Sequence, residues 1–185
     1  MNTELQNKII EIATGELGKR EKPEGSNWGE DIKKYLAAAK INFPAPWCMG
    51  FVQWVVQTAA STIKLPDPLL DSAGVLDTWN KIARKYRVVR GDGGDWVIFN
   101  EQTKQFDKTE PAPGDIFIMD FGKGKGHAGF VTKYKNAKRD KIPFSLIDTI
   151  EGNSNSSGSR EGVEVCRKPN GRRTKTLKGF IRVTI

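Results

Sequence analysis

The chain has 185 residues, a formal net charge of +8 at neutral pH and a hydrophobic residue content of 37%. This length fits one domain with a sizeable core, so we expect residues 1–185 to form a single domain. No apolar run is long enough to span a membrane, which excludes membrane insertion, and two cysteines are too few for a disulfide-built scaffold. One histidine and two separated cysteines do not make a zinc ligand set, and we expect no metal and no cofactor.

The positive charge is concentrated in the last third of the chain. Residues 122–185 carry a net charge of +10, whereas residues 1–121 carry −2. A basic C-terminal third predicts an anionic partner, such as nucleic acid, a membrane surface or an acidic cell-wall polymer. The alternative is a well-solvated surface on which the lysines have no common partner.

The first residues, Met1–Gln6, have neither the basic region nor the apolar stretch of a secretory signal. We therefore expect the protein to be made in the cytoplasm without a signal peptide. Any action outside the cell would then depend on another system for release or injection.

The N-terminal half predicts four helices. Apolar residues recur at helical spacing over residues 4–18, Trp28–Ala39, Cys48–Ser61 and approximately Ser72–Tyr86. Asn2 or Thr3 can cap the first helix and Gly18 can end it. The third helix is apolar over most of its circumference, so we expect it at the centre of the domain.

The pattern changes to strands in the second half. Val88-Val89 and Trp96–Phe99 flank a glycine-rich turn and predict a hairpin. Further predicted strands are Ile116–Met119, Ala128–Tyr134, Phe144–Ile150, Val163–Cys166 and Gly179–Ile185, with surface loops at Phe121–Gly126 and Asn153–Ser159. Helices followed by strands predict an α+β fold in which the helices are segregated from an antiparallel sheet.

Cys48 stands where the chain turns from extended to helical. Pro44 and Pro46 hold the preceding segment extended, and the helical pattern starts almost at Cys48. A thiol at a helix N-terminus meets unpaired backbone N–H groups and the positive end of the helix dipole, both of which favour the nucleophilic thiolate. The alternative is a small buried hydrophobic cysteine, and a partner base decides between the two.

His127 is the only histidine and stands where the predicted glycine- and lysine-rich loop enters a strand. A histidine is the natural base for a thiol, although a lone histidine can equally be structural. If Phe144–Ile150 pairs with Ala128–Tyr134, then Glu151 or Asn153 comes beside the imidazole and can orient it. Their alternatives are a solvated carboxylate at a strand end and a turn-forming asparagine.

Three motifs occur in a recognisable order: Pro46–Val52 (PWCMGFV), Gly126–Val131 (GHAGFV) and Ile150–Asn153 (IEGN). Together they resemble the CHAP family, the cysteine, histidine-dependent amidohydrolases/peptidases of bacteria and phages, over about residues 15–155. The resemblance implies a papain-like fold with N-terminal helices packed on a C-terminal antiparallel sheet. It also implies Cys48 as nucleophile, His127 as base, and Glu151 with Asn153 as the polar pair that completes the site.

The resemblance implies a catalytic domain that hydrolyses an amide bond of peptidoglycan. The enzyme would be an N-acetylmuramoyl-L-alanine amidase or a peptide endopeptidase that forms a thioester on Cys48. We expect a monomer that also contacts anionic wall polymer through its basic C-terminal third. Met49 departs from the small residue that follows the cysteine in many relatives.

Three alternatives remain open at this stage. The first is a cysteine protease or transglutaminase-like effector that acts on protein. The second is a non-catalytic basic module that binds wall polymer or nucleic acid. The third is a structural protein in which Cys48 and Cys166 form a disulfide.

Overall fold

The computed structural model describes residues 3–139, 142–155, 162–173 and 176–183. The described residues form four α-helices: α1 (Glu4–Gly15), α2 (Glu30–Ala38), α3 (Cys48–Thr62) and α4 (Val75–Lys81). They also form eight β-strands: β1 (Arg87–Arg90), β2 (Trp96–Phe99), β3 (Phe106–Lys108), β4 (Ile116–Gly122), β5 (Lys125–Arg139), β6 (Ile142–Ser154), β7 (Glu164–Arg173) and β8 (Leu177–Ile181). The fold class is α+β, as the sequence predicts.

The eight described strands make one antiparallel sheet in the order β3-β2-β1-β8-β4-β5-β6-β7. The last strand, β8, lies between β1 and β4 and so joins the two parts of the sheet. The predicted pairing of β5 with β6 is confirmed, with Phe130 opposite Ile150 and Val131 opposite Thr149. This pairing fixes which residues of the two strands lie near His127.

Helix α3 lies at the centre of the apolar core, as its apolar circumference predicts. Ten of its 15 residues are buried. The ring of Phe51 packs edge-to-face on Phe130 of β5, with 5.9 Å between the centroids. On the other side, a Cβ at Gly50 would lie only 2.7 Å from the carbonyl oxygen of Tyr35 in α2. The helix is therefore held closely between α2 and the sheet.

Helix α1 begins at the predicted cap but ends earlier than predicted. The side chain of Thr3 accepts a hydrogen bond from the backbone N–H of Gln6, and the Gln6 side chain accepts one from the backbone N–H of Thr3. The helix ends at Gly15. Gly18, the predicted terminator, has a φ of +84° and donates its N–H to the carbonyl of Val165 in β7. The chain therefore leaves the helix to bond the sheet.

Helix α4 is shorter than the sequence predicts. The apolar period predicts a helix to about residue 86, but α4 ends at Lys81. The guanidinium of Arg87 donates to the carbonyls of Asn80 and Ile82, with distances of 2.8 and 3.1 Å. A side chain from the first strand thus satisfies carbonyls at the helix end, which no local periodicity reveals.

The predicted loop Phe121–Gly126 is a tight hairpin turn instead. Strand β4 continues to Gly122 and β5 already begins at Lys125. Lys123 has a φ of 53° and Gly124 a φ of 74°, so both occupy the left-handed region that tight turns require. His127 is accordingly the third residue of a strand and not the end of a mobile loop.

The structure differs from the sequence predictions at one further strand and one further loop. The exposed edge strand β3 has no counterpart among the predicted strands, because all three of its residues, Phe106–Lys108, lie outside the core. The predicted loop Asn153–Ser159 begins inside β6, which runs to Ser154, and its residues 156–159 lie outside the described residues.

The two faces of the sheet carry different apolar clusters. Ile116 and Ile118 of β4 face the helices, so the alternation of a strand places Phe117 and Met119 on the opposite face. There they belong to a second cluster, called here the outer cluster: Val88, Trp96, Phe117, Met119, Val131, Ile147 and Phe180. The sheet is therefore buried on both faces over this part.

Gly152 of β6 sets how closely α3 approaches the sheet. A Cβ at this position would lie 2.6 Å from Cβ of Phe51 and 2.7 Å from Cζ3 of Trp47. We expect Gly152→Ala to lower the free energy of unfolding by about 1–3 kcal/mol, because the added methyl overpacks the core. Urea unfolding measures this change. Gly15→Ala is the matched control, since a Cβ at Gly15 meets nothing within 4 Å; equal losses in the two proteins would contradict the prediction.

Candidate active site

Cys48 is the first residue of α3, as predicted, and it is 8% exposed. The preceding residue, Trp47, gives no side-chain cap to the helix. Backbone N–H groups of Met49 and Ala128 donate to the Cys48 sulfur instead. The sulfur thus receives hydrogen bonds from the first turn of α3 and from β5.

A buried carboxylate fixes the residue before the cysteine. Oε1 of Glu21 accepts a hydrogen bond of 2.8 Å from the indole Nε1 of Trp47, and Oε2 accepts one of 2.9 Å from the backbone N–H of Asn27. The indole also stacks on Tyr35, with 5.4 Å between the ring centroids. Sequence reasoning missed Glu21, since no local pattern distinguishes this acid from its solvated neighbours.

His127 lies on β5 between two small residues. A Cβ at Gly126 would lie 2.8 Å from the carbonyl oxygen of Met119 and 3.1 Å from Cβ of Val75 in α4. The imidazole packs beside Phe117 of the outer cluster, with 5.8 Å between the centroids. It also hydrogen-bonds Cys48. Gly126 therefore lets α4 pack closely on β5 next to His127.

Glu151 of β6 is the carboxylate that contacts the imidazole of His127. Its Oε2 lies 2.8 Å from Nε2 of His127, and its side chain is fully buried. Thr149 donates to Oε1 at 2.6 Å and Ser154 donates to Oε2 at 3.1 Å. A Cβ at Gly129 would lie 3.0 Å from Cγ of Glu151, so this glycine leaves the room that the carboxylate fills. Glu151 is thus a buried, fully engaged carboxylate and not a solvated strand end.

Sequence reasoning missed the two hydroxyls that hold Glu151. Thr149 stands two residues before Glu151 on the same strand, and period-two spacing places both on one face of the sheet. The sequence therefore contained a signal for the contact between Thr149 and Glu151. Ser154 lies in a serine-rich run whose composition predicts only a loop, and no comparable signal distinguishes it.

Asn153 lies near the active site, and it contacts the residue that precedes Cys48. With the amide oriented so that both ends have complementary partners, its nitrogen donates to the Gly162 carbonyl at 2.6 Å. Its oxygen accepts the backbone N–H of Trp47 at 3.2 Å. The described contacts therefore connect Asn153 to the residue before Cys48, whereas Glu151 contacts His127. A direct contribution of Asn153 to the histidine stays a prediction.

The electrostatics favour an ion pair between the thiol and the imidazole. Burial raises the pKa of Cys48, but the hydrogen bond and positive charge of His127 and two backbone N–H groups bring it below its ordinary value. Burial lowers the pKa of His127, but hydrogen bonds and charge from Cys48 and Glu151 raise it to about 9. Both pKa shifts therefore favour the thiolate–imidazolium form of the pair.

Cys166 gives a useful contrast. It is also 8% exposed and lies on β7 opposite Glu151. Burial raises the pKa of its thiol above the ordinary value. Both cysteines are free, so the disulfide considered from the sequence is wrong.

Two other features of the described part of the chain bear on possible chemistry. No group of three or more His, Cys, Asp or Glu side chains among the described residues is arranged to hold a metal ion. None of the helices described is long and apolar enough to cross a membrane.

The Asn153 contact can be tested without straining the backbone. Asn153 has a φ of 52°, which glycine adopts freely, so Asn153→Gly removes the amide and keeps the backbone conformation. We expect kcat/KM to fall about tenfold, because the entry to α3 loses a fixed hydrogen bond and the nucleophile is less well placed. Lys64→Gly, at a φ of 59° after α3, is the matched control and should keep its activity. Unchanged kcat/KM in Asn153→Gly would contradict this role.

Comparison with known proteins agrees with this arrangement. A family model described as the CHAP domain matches residues 40–153. No curated protein and no solved structure matches the chain significantly. The matched segment is more than half of the chain and includes Cys48, His127, Glu151 and Asn153. The chain therefore belongs to the CHAP domain family, whose members are hydrolases of the amidase and peptidase type that act on peptidoglycan.

Proposed function

We propose that this protein hydrolyses an amide bond of peptidoglycan through a thioester on Cys48. The observation that carries the proposal is the hydrogen-bonded series from Cys48 through His127 to Glu151. A nucleophile, a base and a group that orients the base are the three parts that covalent acyl transfer requires. Their positions at one helix N-terminus and on two paired strands keep their geometry rigid.

The first half of the reaction forms the thioester. The Cys48 thiolate attacks the amide carbonyl carbon, and the carbonyl oxygen becomes an oxyanion. The Cys48 backbone N–H at the start of α3 helps to hold that oxyanion. His127, as imidazolium, gives its proton to the amide nitrogen, the carbon–nitrogen bond breaks, and the amine leaves.

The second half returns the enzyme to its starting state. Neutral His127 takes a proton from water, and the resulting hydroxide attacks the thioester carbonyl. The carbon–sulfur bond breaks, the new carboxylic acid leaves, and the thiolate–imidazolium pair remains. Because Nε2 of His127 already contacts Glu151, Nδ1 is the nitrogen left to exchange protons at the sulfur.

Glu151 and Asn153 support the two reacting groups in different ways. Glu151 holds the imidazole orientation and stabilises its positive charge, in the same way that the buried carboxylate of a catalytic triad does. Asn153 completes the site by holding the backbone of Trp47 next to the nucleophile. Glu151 acts through His127 and Asn153 acts through Trp47, so both are positioning residues in this scheme.

Exposed apolar side chains on the segments next to α3 and β5 in the chain are candidates to contact the substrate. Phe43 precedes α3, Leu70 lies between α3 and α4, and Phe121 lies at the β4–β5 turn, with exposures of 59, 46 and 52%. Gln53 of α3 donates to the carbonyls of Leu70 and Ser72, which fixes that connection beside the helix. A peptide carrying methyl groups would bury these side chains on binding.

The basic C-terminal third is the proposed contact for anionic wall polymer. Lys133 and Lys135 on β5 and Arg167 on β7 are exposed, and these two strands lie on either side of β6 at one end of the sheet. Such contacts would weaken as salt increases, because exposed charges are screened. We further propose that residues 1–185 act as one catalytic domain and as a monomer. The main core cluster, which joins residues from Leu5 to Val183, supports the single domain.

Mass spectrometry of fragments released from purified sacculi tests the proposal. Wild type should release soluble fragments and Cys48→Ala should release none. Fragment masses identify the bond: glycan without peptide together with intact peptides indicates an amidase, whereas split peptides indicate an endopeptidase. The same proteins are incubated with casein in parallel. Cleavage of casein with intact sacculi would favour the effector alternative and contradict the proposal.

A further inference from the structure

A cavity lies away from the cysteine. It is a cleft of about 330 Å³ between the β1–β2 hairpin, β3 and β5, called here the hairpin cleft, and its lining includes Arg90, Asp95, Trp96, Lys108, Glu110 and Tyr134. Tyr134 follows His127 by seven residues on β5. At the rise of a strand, this separation places the cleft about 20 Å from the imidazole.

The hairpin cleft and the active site share one face of the sheet. Trp96 belongs to the outer cluster, and Tyr134 packs against that cluster. The ring of Trp96 contacts Phe180 with 4.9 Å between the centroids, and Phe117 of the same cluster lies beside His127. The hairpin cleft and His127 therefore border the same buried apolar cluster.

The floor of the hairpin cleft is aromatic and is already ordered. Trp96 is only 4% exposed, and its Nε1 donates to the hydroxyl of Tyr134 at 3.0 Å. The guanidinium of Arg90 stacks over the Trp96 ring at 4.0 Å. The hydrogen-bonding groups around this floor are thus held in place before any ligand arrives, which lowers the entropy cost of binding.

The charged side chains around the floor carry no net charge in total. Arg90 and Lys108 are basic, Asp95 and Glu110 are acidic, and all four are exposed. Lys108 and Asp95 form an ion pair of 2.7 Å. A lining without net charge does not select a polyanion, but its charged groups form strong hydrogen bonds with neutral hydroxyl and amide groups.

We propose that the hairpin cleft binds a short neutral segment of N-acetylhexosamine oligosaccharide, the glycan part of the substrate. This proposal rests on the proposed function, because the ligand of the cleft is part of the same polymer that Cys48 would cleave. Hydroxyl and acetamido groups supply both donors and acceptors, which matches a lining that mixes carboxylates, cationic groups and a phenol. The volume is near the lower end for ligand sites and fits a short segment. A second contact on one polymer raises its effective concentration at Cys48.

The test is an NMR titration of ¹⁵N-labelled protein with the tetramer of N-acetylglucosamine. This probe has no sugar–peptide or peptide bond, so binding can be read even if the protein never cleaves sacculi. We expect the indole N–H signal of Trp96 to shift saturably. Arg90→Leu and Tyr134→Phe should each weaken binding about tenfold, the effect of one lost hydrogen-bonding contact.

Arg84→Leu is the matched control for Arg90→Leu. Arg84 stacks on Phe99 and Phe106 at 4.2 and 4.5 Å, an equivalent arginine–aromatic contact outside the cleft lining. This protein should bind the tetramer as wild type does. Absence of any Trp96 shift, or a Trp96 shift with a Lys-D-Ala-D-Ala peptide or with polyphosphate in place of the sugar, would overturn the assignment. So would equal weakening by all three substitutions.

Discussion

Cys48→Ala is expected to lower the rate of sacculus hydrolysis roughly 10⁴-fold or more, because the reaction loses its nucleophile. Cys48→Ser should be almost as inactive. A serine hydroxyl is not ionised by an imidazole at neutral pH, whereas a thiol is far more acidic and the site lowers the pKa of Cys48 further. Both changes are small in volume at the first residue of α3, so the circular dichroism spectrum and Tm should stay close to those of wild type. Release of soluble fragments over time measures the rate.

Alkylation separates the reactivity of Cys48 from its exposure. The two cysteines are equally exposed, at 8% each, but the pKa of Cys48 is lowered and that of Cys166 is raised. We expect iodoacetamide at neutral pH to modify Cys48 first and to stop hydrolysis with the same time course. Peptide mapping by mass spectrometry identifies the modified residue.

Cys166→Ala is the control for both experiments. Its hydrolysis and its sensitivity to alkylation should match those of wild type, because Cys166 does not contact the imidazole in the described structure. Appreciable hydrolysis by Cys48→Ala, or inactivation that follows Cys166 modification, would contradict the role of Cys48.

The position of Cys48 could be predicted because it depends on local chemistry. Two prolines keep the chain extended to residue 46, and the apolar period beyond them is strong, so the start of α3 is fixed by its own sequence. The β5–β6 pairing was also predictable. Both strands have clear patterns, and neighbouring segments in the chain commonly pair. These two features bring three of the four candidate residues to one end of the domain.

What could not be predicted depends on contacts between distant residues. Glu21 contacts Trp47 across 26 positions of sequence, and Arg87 ends α4 from the following strand. No local sequence pattern distinguishes Glu21 or Arg87 as the residue that makes these contacts. The amide of Asn153 shows the same limit: its place in the sequence was clear, but its partner depends on how closely α3 packs on β6 at Gly152.

Glu151→Gln is expected to lower kcat/KM by about 10²-fold and to narrow the pH range of activity. Glutamine is nearly isosteric: its oxygen can accept from one of the two hydroxyls, Thr149 or Ser154, and the other hydroxyl can rotate to accept from its NH2 group, so the fold should persist. What disappears is the negative charge 2.8 Å from Nε2 of His127. That charge stabilises the imidazolium, and its loss also weakens the ion pair with Cys48.

The sign of the pH effect follows from the reactive form, which is thiolate with imidazolium. Activity rises as pH passes the lowered pKa of Cys48 and falls as pH passes the pKa of His127, about 9 in the wild type. Without the carboxylate the pKa of His127 drops, so the alkaline limb should move down by about one unit or more. A weaker imidazolium stabilises the thiolate less, so the acid limb should move up. The rate of Cys48 alkylation against pH reports the acid limb independently of substrate.

Glu164→Gln supplies the control that makes the pH profile decisive. Glu164 is on the neighbouring strand β7 opposite Ser154, so its replacement removes an equal charge from the same region without removing the partner of Nε2. If the Glu151 effect were only a change in overall field, both variants would shift the profile alike. If Glu151 were only a structural support, Glu151→Gln would lose activity, but the acid and alkaline limbs of its pH profile would stay at the wild-type pH values. A shift confined to Glu151→Gln is the outcome that assigns the carboxylate to the imidazolium.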